Sequence, residues 1–327
     1  MSSLLSLEDL RDVYIKLCHR GAGFLMSKFS LDNKKRTKSS FNDSTLETAN
    51  WWIVPAVRHR WNKLITGNPH TTFEEYLSFQ IFPEKRNMKM LSMGSGVCSH
   101  ELLLAELNPH WDITCIDFSN NLIEAAEKKA RKQNLKNITF LCEDIYQYPF
   151  LNNHYDIIFF NASLHHISSV SSFIYSHVYT KLKERGSLVI NEYIGPNRIQ
   201  YSSGQIQAIN EGLALIDDDY KQVYKTKIKK KRYYGSGLWR MIVSDPSECV
   251  DSAAILSSIY HYFNVEIERP YGGNILMPAL RDIAHHFVDE NSRSMKSLQK
   301  IMDFEDQYLS DHTSDFVFGV YTKKEFI

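Results

Sequence analysis

The chain has little of what would mark a secreted, membrane-spanning or nucleic-acid-binding protein. Its 327 residues include only five cysteines and no CxxC pair, which argues against a disulfide framework and a cysteine-ligated zinc site. No apolar run approaches 18 residues, so we expect no membrane-spanning helix. Acids within the first turns, Glu8 and Asp9, argue against a secretory signal. The 38 basic and 38 acidic residues cancel, which disfavours a nucleic-acid partner. We therefore expect a cytoplasmic protein that binds neither nucleic acid nor membrane.

From about residue 87, short apolar runs alternate with amphipathic helical stretches. The runs MKMLSM, DITCID, NITFLCED, YDIIFFNA and SLVINEY have the composition of buried strands. Ile123, Ala126 and Ala130 fall on one face of an intervening helix, as in a helix packed on a sheet. Two later runs, FNVEIERP and DFVFGVYTKK, add strand patterns near the C-terminus. We predict an α/β fold with a seven-stranded, mostly parallel, doubly wound sheet, N-terminal helices and a helical cap insertion.

Changes in the alternation of predicted strands and helices divide the chain into four segments. The first opens with an amphipathic pattern over residues 1–30, and Ser44 with Glu47 has capping-box spacing before a Trp-rich helix. Packing and closure over a ligand both remain open as roles for that helix. A long insertion near the ligand edge of a sheet usually selects the substrate. The predicted segments are an N-terminal helical segment (1–86), a cofactor-binding core (87–195), a substrate-cap insertion (196–258) and a C-terminal completion of the sheet with inserted helices (259–327).

Glycine or polar residues follow four successive strands, where parallel strands end at one edge of a sheet. A glycine turn lets backbone N–H groups approach a ligand closely, and Asp117, 21 positions after Gly96, is placed to bind ribose hydroxyls. Any one of these residues could simply end a strand, but the ordered set predicts a nucleoside-cofactor crevice. In strand order they are Gly94 and Gly96, Asp117 and Phe118, Glu143 and Asp144, and Asn161.

In this order the motifs resemble those of the class I S-adenosylmethionine-dependent methyltransferases, over about residues 85–195. The phrases NEYIGPNRIQ, SDPSE and RPYGGNIL, with the earlier WWIVPAVRHRWN, resemble more loosely a bacterial subgroup linked to saccharide or secondary-metabolite pathways. The resemblance implies S-adenosylmethionine as cofactor and a small molecule as acceptor. It implies contacts to the methionine part from Met93, Gly94, Ser95 and Gly96, to the ribose and adenine from Asp117, Phe118, Asp144 and Ile145, and near the sulfonium from Asn161 and Ala162.

Two positions depart from the pattern of that family. Ser92 stands where the family usually has an acid, and Cys98 stands where it usually has the third glycine. The first departure predicts that another residue, such as one from the N-terminal helices, contacts the amino group of the cofactor. The second argues against a dinucleotide, whose pyrophosphate needs a close helix N-terminus. Two alternatives stay open: an NAD(P)-dependent oxidoreductase on a similar sheet, and a non-catalytic S-adenosylmethionine-binding protein.

The residues after the fourth and fifth strands are the candidates for catalysis. The sulfonium methyl is already activated, so the protein supplies alignment and, for an alcohol, a base. His166 and then His165 are the leading bases, because histidine titrates near neutrality. A structural role for the phrase LHH is the alternative. Glu192 and Tyr193 are candidates for a base or for orienting a hydroxyl, with a plain strand-end role equally open.

The start of the insertion supplies the candidate substrate contacts, Arg198 and Gln200. The basic run Lys225–Arg232 either attracts an acidic group of the substrate or forms a solvated surface. We predict methyl transfer to oxygen, with nitrogen and carbon acceptors left open. We expect no metal, and the sequence is compatible with a homodimer.

Overall fold

The computed structural model describes residues 4–20, 50–84, 87–289 and 291–325. Within these ranges, no helix is long and apolar enough to cross a bilayer. The elements in chain order are α1 (Leu7–Arg20), α2 (Pro55–Thr66), α3 (Phe73–Tyr76), β1 (Lys89–Met93), α4 (Ser99–Leu107), β2 (Asp112–Asp117), α5 (Asn120–Lys132), β3 (Ile138–Cys142), β4 (Tyr155–Asn161), α6 (Val170–Phe173), β5 (Leu182–Tyr193), α7 (Ser203–Ala214), α8 (Leu238–Ser244), α9 (Ile255–Tyr262), β6 (Phe263–Gly272), α10 (Leu276–Leu280), α11 (Ser292–Leu309) and β7 (Phe316–Lys323).

The N-terminal helical patterns correspond to α1 and to a Trp-rich segment that divides in two. The helix predicted within residues 1–30 is α1, Leu7–Arg20. The Trp-rich pattern divides into a 3-10 turn, Trp51–Ile53, and α2, which begins at Pro55. Proline suits the first position of a helix, where its missing N–H costs no intrahelical hydrogen bond. The capping-box spacing of Ser44 and Glu47 lies outside the described residues.

The chain forms two compact units, each assembled from non-contiguous segments. The predicted core, residues 87–195, falls in the second unit apart from its last residue, and most of the predicted insertion falls in the first. The first unit comprises Met1–Lys63, Gly195–Glu248 and Pro270–Phe316, and the second comprises Leu64–Ile194, Cys249–Arg269 and Val317–Ile327.

The sheet has seven strands in the order β3-β2-β1-β4-β5-β7-β6. The pairings of β1 with β2 and β4, of β2 with β3, and of β4 with β5 are all parallel. The prediction of a seven-stranded, mostly parallel sheet flanked by helices is therefore confirmed. Strand order reverses between β1 and β4, and such a switch point is where open α/β sheets bind their ligands.

Apolar burial on both faces holds this sheet together. The β1 residues Met90, Leu91 and Met93 expose 2% of their surface or less, as expected for a central strand. Helix α5 buries Leu122, Ile123, Ala126 and Ala130, which include the three positions that the sequence placed on one face. This packing fixes the carboxyl ends of β1 to β5 along one edge.

In the first unit, a buried carboxylate organises the turn of the phrase RPYGGNIL. Glu305, on α11, is fully buried, and its Oε1 accepts hydrogen bonds from the N–H groups of Gly273 (3.1 Å), Ile275 (2.8 Å) and Leu276 (2.9 Å). Arg60 Nη1 lies 3.1 Å from Glu305 Oε2 and balances its charge. Backbone N–H groups at such a turn and helix start form an anion cradle. The carboxylate of Glu305 fills this one.

Candidate cofactor and catalytic site

The glycine loop follows β1 and is tied to the end of β2. The N–H groups of Gly94 and Ser95 donate to the carbonyl of Ile116, at 2.9 and 3.2 Å. Gly94 has a φ of 68°, and a Cβ there would lie only 2.8 Å from the Cβ of Ser163. Glycine is therefore required at this position for both its backbone conformation and its missing side chain.

Asp117, at the end of β2, is a buried carboxylate that shapes the same loop. Its Oδ2 accepts a hydrogen bond from Gly96 N–H (2.9 Å), and its Oδ1 accepts one from Ser119 N–H (2.8 Å). A carboxylate has about four acceptor positions. Asp117 uses both of its oxygens to fix the glycine loop and the turn after β2.

Apolar side chains are exposed close to the ends of β1, β2 and β3. They are Val97 after the glycine loop, Phe118 next to Asp117, and Tyr146 two residues after Asp144. Asp144 accepts a hydrogen bond from Tyr146 N–H at 3.0 Å, which closes a tight turn. Ile145, between them, is half-buried. Aromatic and aliphatic side chains of this kind provide surfaces on which a purine ring packs.

The end of β4 is strained and cross-linked to its neighbours. Ala162 has a φ of 50°, a left-handed conformation that is uncommon for a residue with a side chain. Its N–H donates to Asn191 O (2.9 Å), and Asn191 Nδ2 donates to Asn161 Oδ1 (2.8 Å). Ser163 Oγ donates to Met93 O at 2.8 Å. The ends of β1, β4 and β5 are thereby joined.

Glu192, near the end of β5, orients the residues that follow β4. This carboxylate is fully buried. Its Oε1 accepts the N–H groups of Ser163 and Leu164, both at 2.6 Å, and its Oε2 lies 2.7 Å from His165 Nδ1. A carboxylate on one imidazole nitrogen fixes the tautomer and directs the proton-accepting role to the other nitrogen. Glu192 therefore orients the ring of His165.

His166 and Tyr193 lie beside this pair. The rings of His165 and His166 are 4.3 Å apart between centroids, and the ring of Tyr193 is 6.4 Å from that of His165. His165 and Tyr193 are buried, whereas His166 is half-buried. His165, which the sequence ranked second, has its Nδ1 2.7 Å from the buried carboxylate of Glu192.

Ser92 stands where the glycine motif usually has an acid, and the carboxylate of Glu101 lies next to it, a contact that was not predicted. Ser92 Oγ donates to Glu101 Oε1 at 2.6 Å, and both residues are buried. Burial raises the pKa of Glu101. Glu101 belongs to α4 rather than to the N-terminal helices, and the signal for it was an acid within the apolar stretch SHELLLAEL. A carboxylate therefore lies beside position 92, supplied from nine residues further on.

The two predicted substrate residues belong to the first unit. Arg198 Nη1 donates to the carbonyls of Asp245 (3.4 Å) and Glu248 (3.1 Å). Gln200 Nε2 donates to the carbonyls of Arg198 (3.0 Å) and Ser236 (2.9 Å). These bonds fasten the inserted segment, so both side chains have a structural role. Contact with the substrate stays a prediction for each.

The other predicted residues come together on one edge of the sheet in the second unit. The edge carries a glycine loop after β1, an acid after β2 and a switch point between β1 and β4, which together define a class I methyltransferase fold. A family model described as a methyltransferase domain matches residues 84–252, more than half of the chain. The chain belongs to that family.

Individual relatives match parts of the chain. Malonyl-[acyl-carrier protein] O-methyltransferase of Bacillus cereus is 32% identical over 100 residues, which are 30% of this chain and 36% of that protein. Demethylmenaquinone methyltransferase of Listeria welshimeri is 21% identical over 139 residues, 42% of this chain and 58% of that protein. The chain thus spans less than two thirds of either relative. A solved structure of Haemonchus contortus phosphoethanolamine N-methyltransferase 2 with S-adenosyl-L-methionine matches with 14% identity and a TM-score of 0.47, over 86% of this chain and 61% of that one.

The family match confirms the predicted assignment to the S-adenosylmethionine-dependent methyltransferases and, with it, the predicted cofactor. It goes against the NAD(P)-dependent oxidoreductase that the sequence left open.

Proposed function

We propose that the chain transfers the methyl group of S-adenosylmethionine to a hydroxyl oxygen of a small-molecule acceptor, saccharide-like or secondary-metabolite-like. The observation that carries this proposal is the contact of 2.7 Å between His165 Nδ1 and the buried carboxylate of Glu192. A carboxylate or an ionised phenol needs no base to accept a methyl group, but an alcohol does. A built imidazole–carboxylate pair therefore favours an acceptor with a proton to lose.

In the proposed reaction, His165 Nδ1–H donates to Glu192, and Nε2 accepts the proton of the acceptor hydroxyl. The oxygen forms a bond to the methyl carbon as the bond from that carbon to sulfur breaks. The products are the methyl ether, S-adenosylhomocysteine and an imidazolium, which Glu192 stabilises by its charge. We take His165 rather than His166 as the first candidate for the base, because Glu192 orients the His165 ring through Nδ1.

For the cofactor we propose the contacts that the sequence predicts. We propose that Asp117 binds the ribose hydroxyls, that Phe118, Asp144 and Ile145 surround the adenine, and that Asn161 and Ala162 lie near the sulfonium. Met93, Gly94, Ser95 and Gly96 would hold the methionine part by backbone contacts. The hydrogen bonds that tie the glycine loop to Ile116 and Asp117 support this assignment, because they preorganise the loop.

The names of the relatives support transfer to an acceptor other than nucleic acid. One relative is named for O-methylation of malonyl-[acyl-carrier protein] and the other for methylation of demethylmenaquinone. Small-molecule substrate contacts at Arg198 and Gln200, a homodimer and a cytoplasmic location are further proposals.

The proposal on catalysis is tested by replacing the pair and its neighbour separately. Formation of S-adenosylhomocysteine is measured against a panel of alcohols, phenols, amines and carboxylic acids. With the preferred acceptor, His165→Gln and Glu192→Gln should each lower kcat by about 10²–10⁴, the usual contribution of a general base. His166→Gln is the matched control and should stay within tenfold of the wild type. A preference for carboxylic acids, or wild-type turnover by His165→Gln, would contradict the base-assisted mechanism. Absence of turnover with every acceptor would favour the non-catalytic alternative.

The ribose contact is tested by titration calorimetry, which needs no acceptor. Asp117→Ala should weaken S-adenosylhomocysteine binding by about 1–3 kcal/mol, because ribose hydroxyls lose a buried acceptor. The same titration with NAD serves as the control for cofactor class and should show no tight binding. Unchanged affinity of Asp117→Ala for S-adenosylhomocysteine would mean that the ribose lies elsewhere.

A further inference from the structure

Helix α1 has its charged side chains turned inward and its apolar side chains exposed. Glu8, Asp9 and Asp12 are buried, whereas Leu7, Leu10 and Tyr14 are exposed. Positions three and four residues apart share one face of a helix. An ordinary surface helix has the opposite arrangement, with apolar residues toward the core. The face formed by Leu7, Leu10 and Tyr14 therefore calls for an explanation outside the core of the unit.

Ion pairs hold α1 in this orientation. Arg240 donates to Asp9 Oδ1 and lies close to Asp12 Oδ2, both at 2.8 Å, and Arg281 reaches Asp12 Oδ2 at the same distance. Gly237 N–H also donates to Asp9 Oδ1, at 2.9 Å. A rotation of α1 that buried its leucines would separate these buried charges from their partners, at a cost in free energy. The exposure of the leucines is thus built into the fold of the first unit.

A second element extends the exposed face. Trp239 and Ile242, three residues apart on α8, are exposed, and Trp239 N–H donates to Leu4 O at 3.2 Å, which joins α8 to the start of α1. We define the apolar patch as Leu4, Leu7, Leu10, Tyr14, Trp239 and Ile242, whose exposed fractions run from 41% for Ile242 to 70% for Leu10. Several exposed apolar side chains on two joined helices are typical of an interaction site.

Exposed cations adjoin the apolar patch. The run that the sequence singled out forms an extended hairpin through a bridge between Gln222 and Lys229. Arg11, on α1, donates to the carbonyl of Arg232 at 3.2 Å, so the end of this run lies against the helix. We define the basic hairpin by its five exposed cations, Lys225, Lys227, Lys229, Lys231 and Arg232.

The basic hairpin lies near the acid Asp218, whose charge interacts with Lys229 and Lys231. Within the ranges that the structure describes, none of its five cations makes an ion pair, and the neighbouring Asp218 is paired with Lys221 at 3.0 Å. The whole chain is neutral, with 38 residues of each sign, so this concentration of positive charge is a local feature.

We propose that the apolar patch and the basic hairpin bind the surface of an anionic lipid bilayer. Such a surface takes leucine and tryptophan side chains into the boundary of headgroups and acyl chains while its anionic headgroups attract lysine and arginine. A second copy of the chain would cover the leucines but would bring a second set of the same cations, and like charges at an interface are unfavourable. The contact is peripheral and requires no spanning helix. This binding goes beyond the proposed methyl transfer.

The proposal is tested by flotation of the full chain with vesicles of 30% phosphatidylglycerol and 70% phosphatidylcholine, against vesicles of phosphatidylcholine alone. We expect the wild type to float with the anionic vesicles at 0.1 M salt and at least tenfold less with the neutral ones. Trp239→Ala combined with Leu10→Ser, and separately Lys229→Gln with Lys231→Gln and Arg232→Gln, should each reduce binding at least tenfold. Raising the salt to 0.5 M should weaken binding, because surface charges are then screened.

The matched control is Leu151→Ser, in the second unit, where a leucine that is 59% exposed lies outside the patch. It should change binding less than twofold, and all variants should keep the wild-type melting temperature and affinity for S-adenosylhomocysteine. Absence of flotation at 0.1 M salt, or equal binding to neutral vesicles, would overturn the proposal. Light scattering tests whether a second copy of the chain is the occupant instead. A wild-type dimer that dissociates in the Trp239→Ala variant would mean that a second copy covers the apolar patch.

Discussion

Replacement of Gly94 by alanine gives a quantitative test of how the glycine loop is built. Two penalties should add at this position. A φ of 68° costs a residue with a side chain about 1–2 kcal/mol. The new Cβ would also lie 2.8 Å from the Cβ of Ser163, and overpacking of this kind costs about 1–3 kcal/mol. We therefore expect Gly94→Ala to lower the free energy of unfolding by roughly 2–5 kcal/mol.

Gly96, in the same loop, separates the two penalties. It also has a positive φ, of 54°, but a Cβ there would meet no atom within 4 Å. Gly96→Ala should consequently lose only the backbone contribution, about 1–2 kcal/mol. Urea unfolding of both variants, followed at one temperature, gives the comparison.

Ser163→Gly tests the steric penalty directly, because it removes the Cβ that an added Cβ at position 94 would meet. In a double-mutant cycle, Ser163→Gly should restore about 1–3 kcal/mol to Gly94→Ala beyond its effect on the wild type. The reasoning is refuted if Gly94→Ala is no less stable than Gly96→Ala, or if the cycle shows no coupling between positions 94 and 163.

Two buried acids make predictions about pH. Burial raises the pKa of Glu101 above its usual 4.5, so the folded state holds its proton longer than the unfolded state, and wild-type stability should fall relative to Glu101→Gln as the pH rises above 4.5. Urea unfolding at several pH values would show parallel curves for the two proteins if Glu101 were not buried as described. Burial likewise raises the pKa of Asp315 from 3.8 to about 7, despite a hydrogen bond from Gln205. Relative to Asp315→Asn, the stability of the wild type should fall by up to about 1.4 kcal/mol per pH unit across that interval. Melting temperatures of the two proteins that differ by a constant amount between pH 4 and 7 would contradict the burial of a titrating Asp315.

Local sequence patterns were sufficient to predict the sheet and much of the edge that carries the predicted cofactor residues. Apolar runs separated by amphipathic helices indicate parallel strands, and parallel strands end at a common edge. That reasoning placed Gly96 and Asp117 together, and the hydrogen bond between them at 2.9 Å agrees with it. Helix ends were less accurate, because a single proline, Pro55, starts a new helix where the pattern of tryptophans continued.

Contacts between distant residues were not accessible from local patterns. Glu192 was a candidate base, but its hydrogen bonds to Ser163, Leu164 and His165 come from a segment about 27 positions earlier, brought next to it by the pairing of β4 with β5. The choice between His165 and His166 depended on that same contact. The partner of Ser92 depended on the turn of the glycine loop, which returns Glu101 to the end of β1. The two compact units could not be read from the sequence either, since each combines three separate stretches of chain.

The carboxylate of Glu305 has a consequence for how related sequences are interpreted. The turn around Gly272 and Gly273 has the appearance of a loop that captures phosphate, yet an internal side chain already satisfies its N–H groups. One residue on α11, more than thirty positions downstream, thus decides whether the N–H groups of such a turn are bound by the protein itself or are open to an external anion. In any homologue that keeps both glycines but carries a neutral residue at position 305, the same backbone would be open to a free anion.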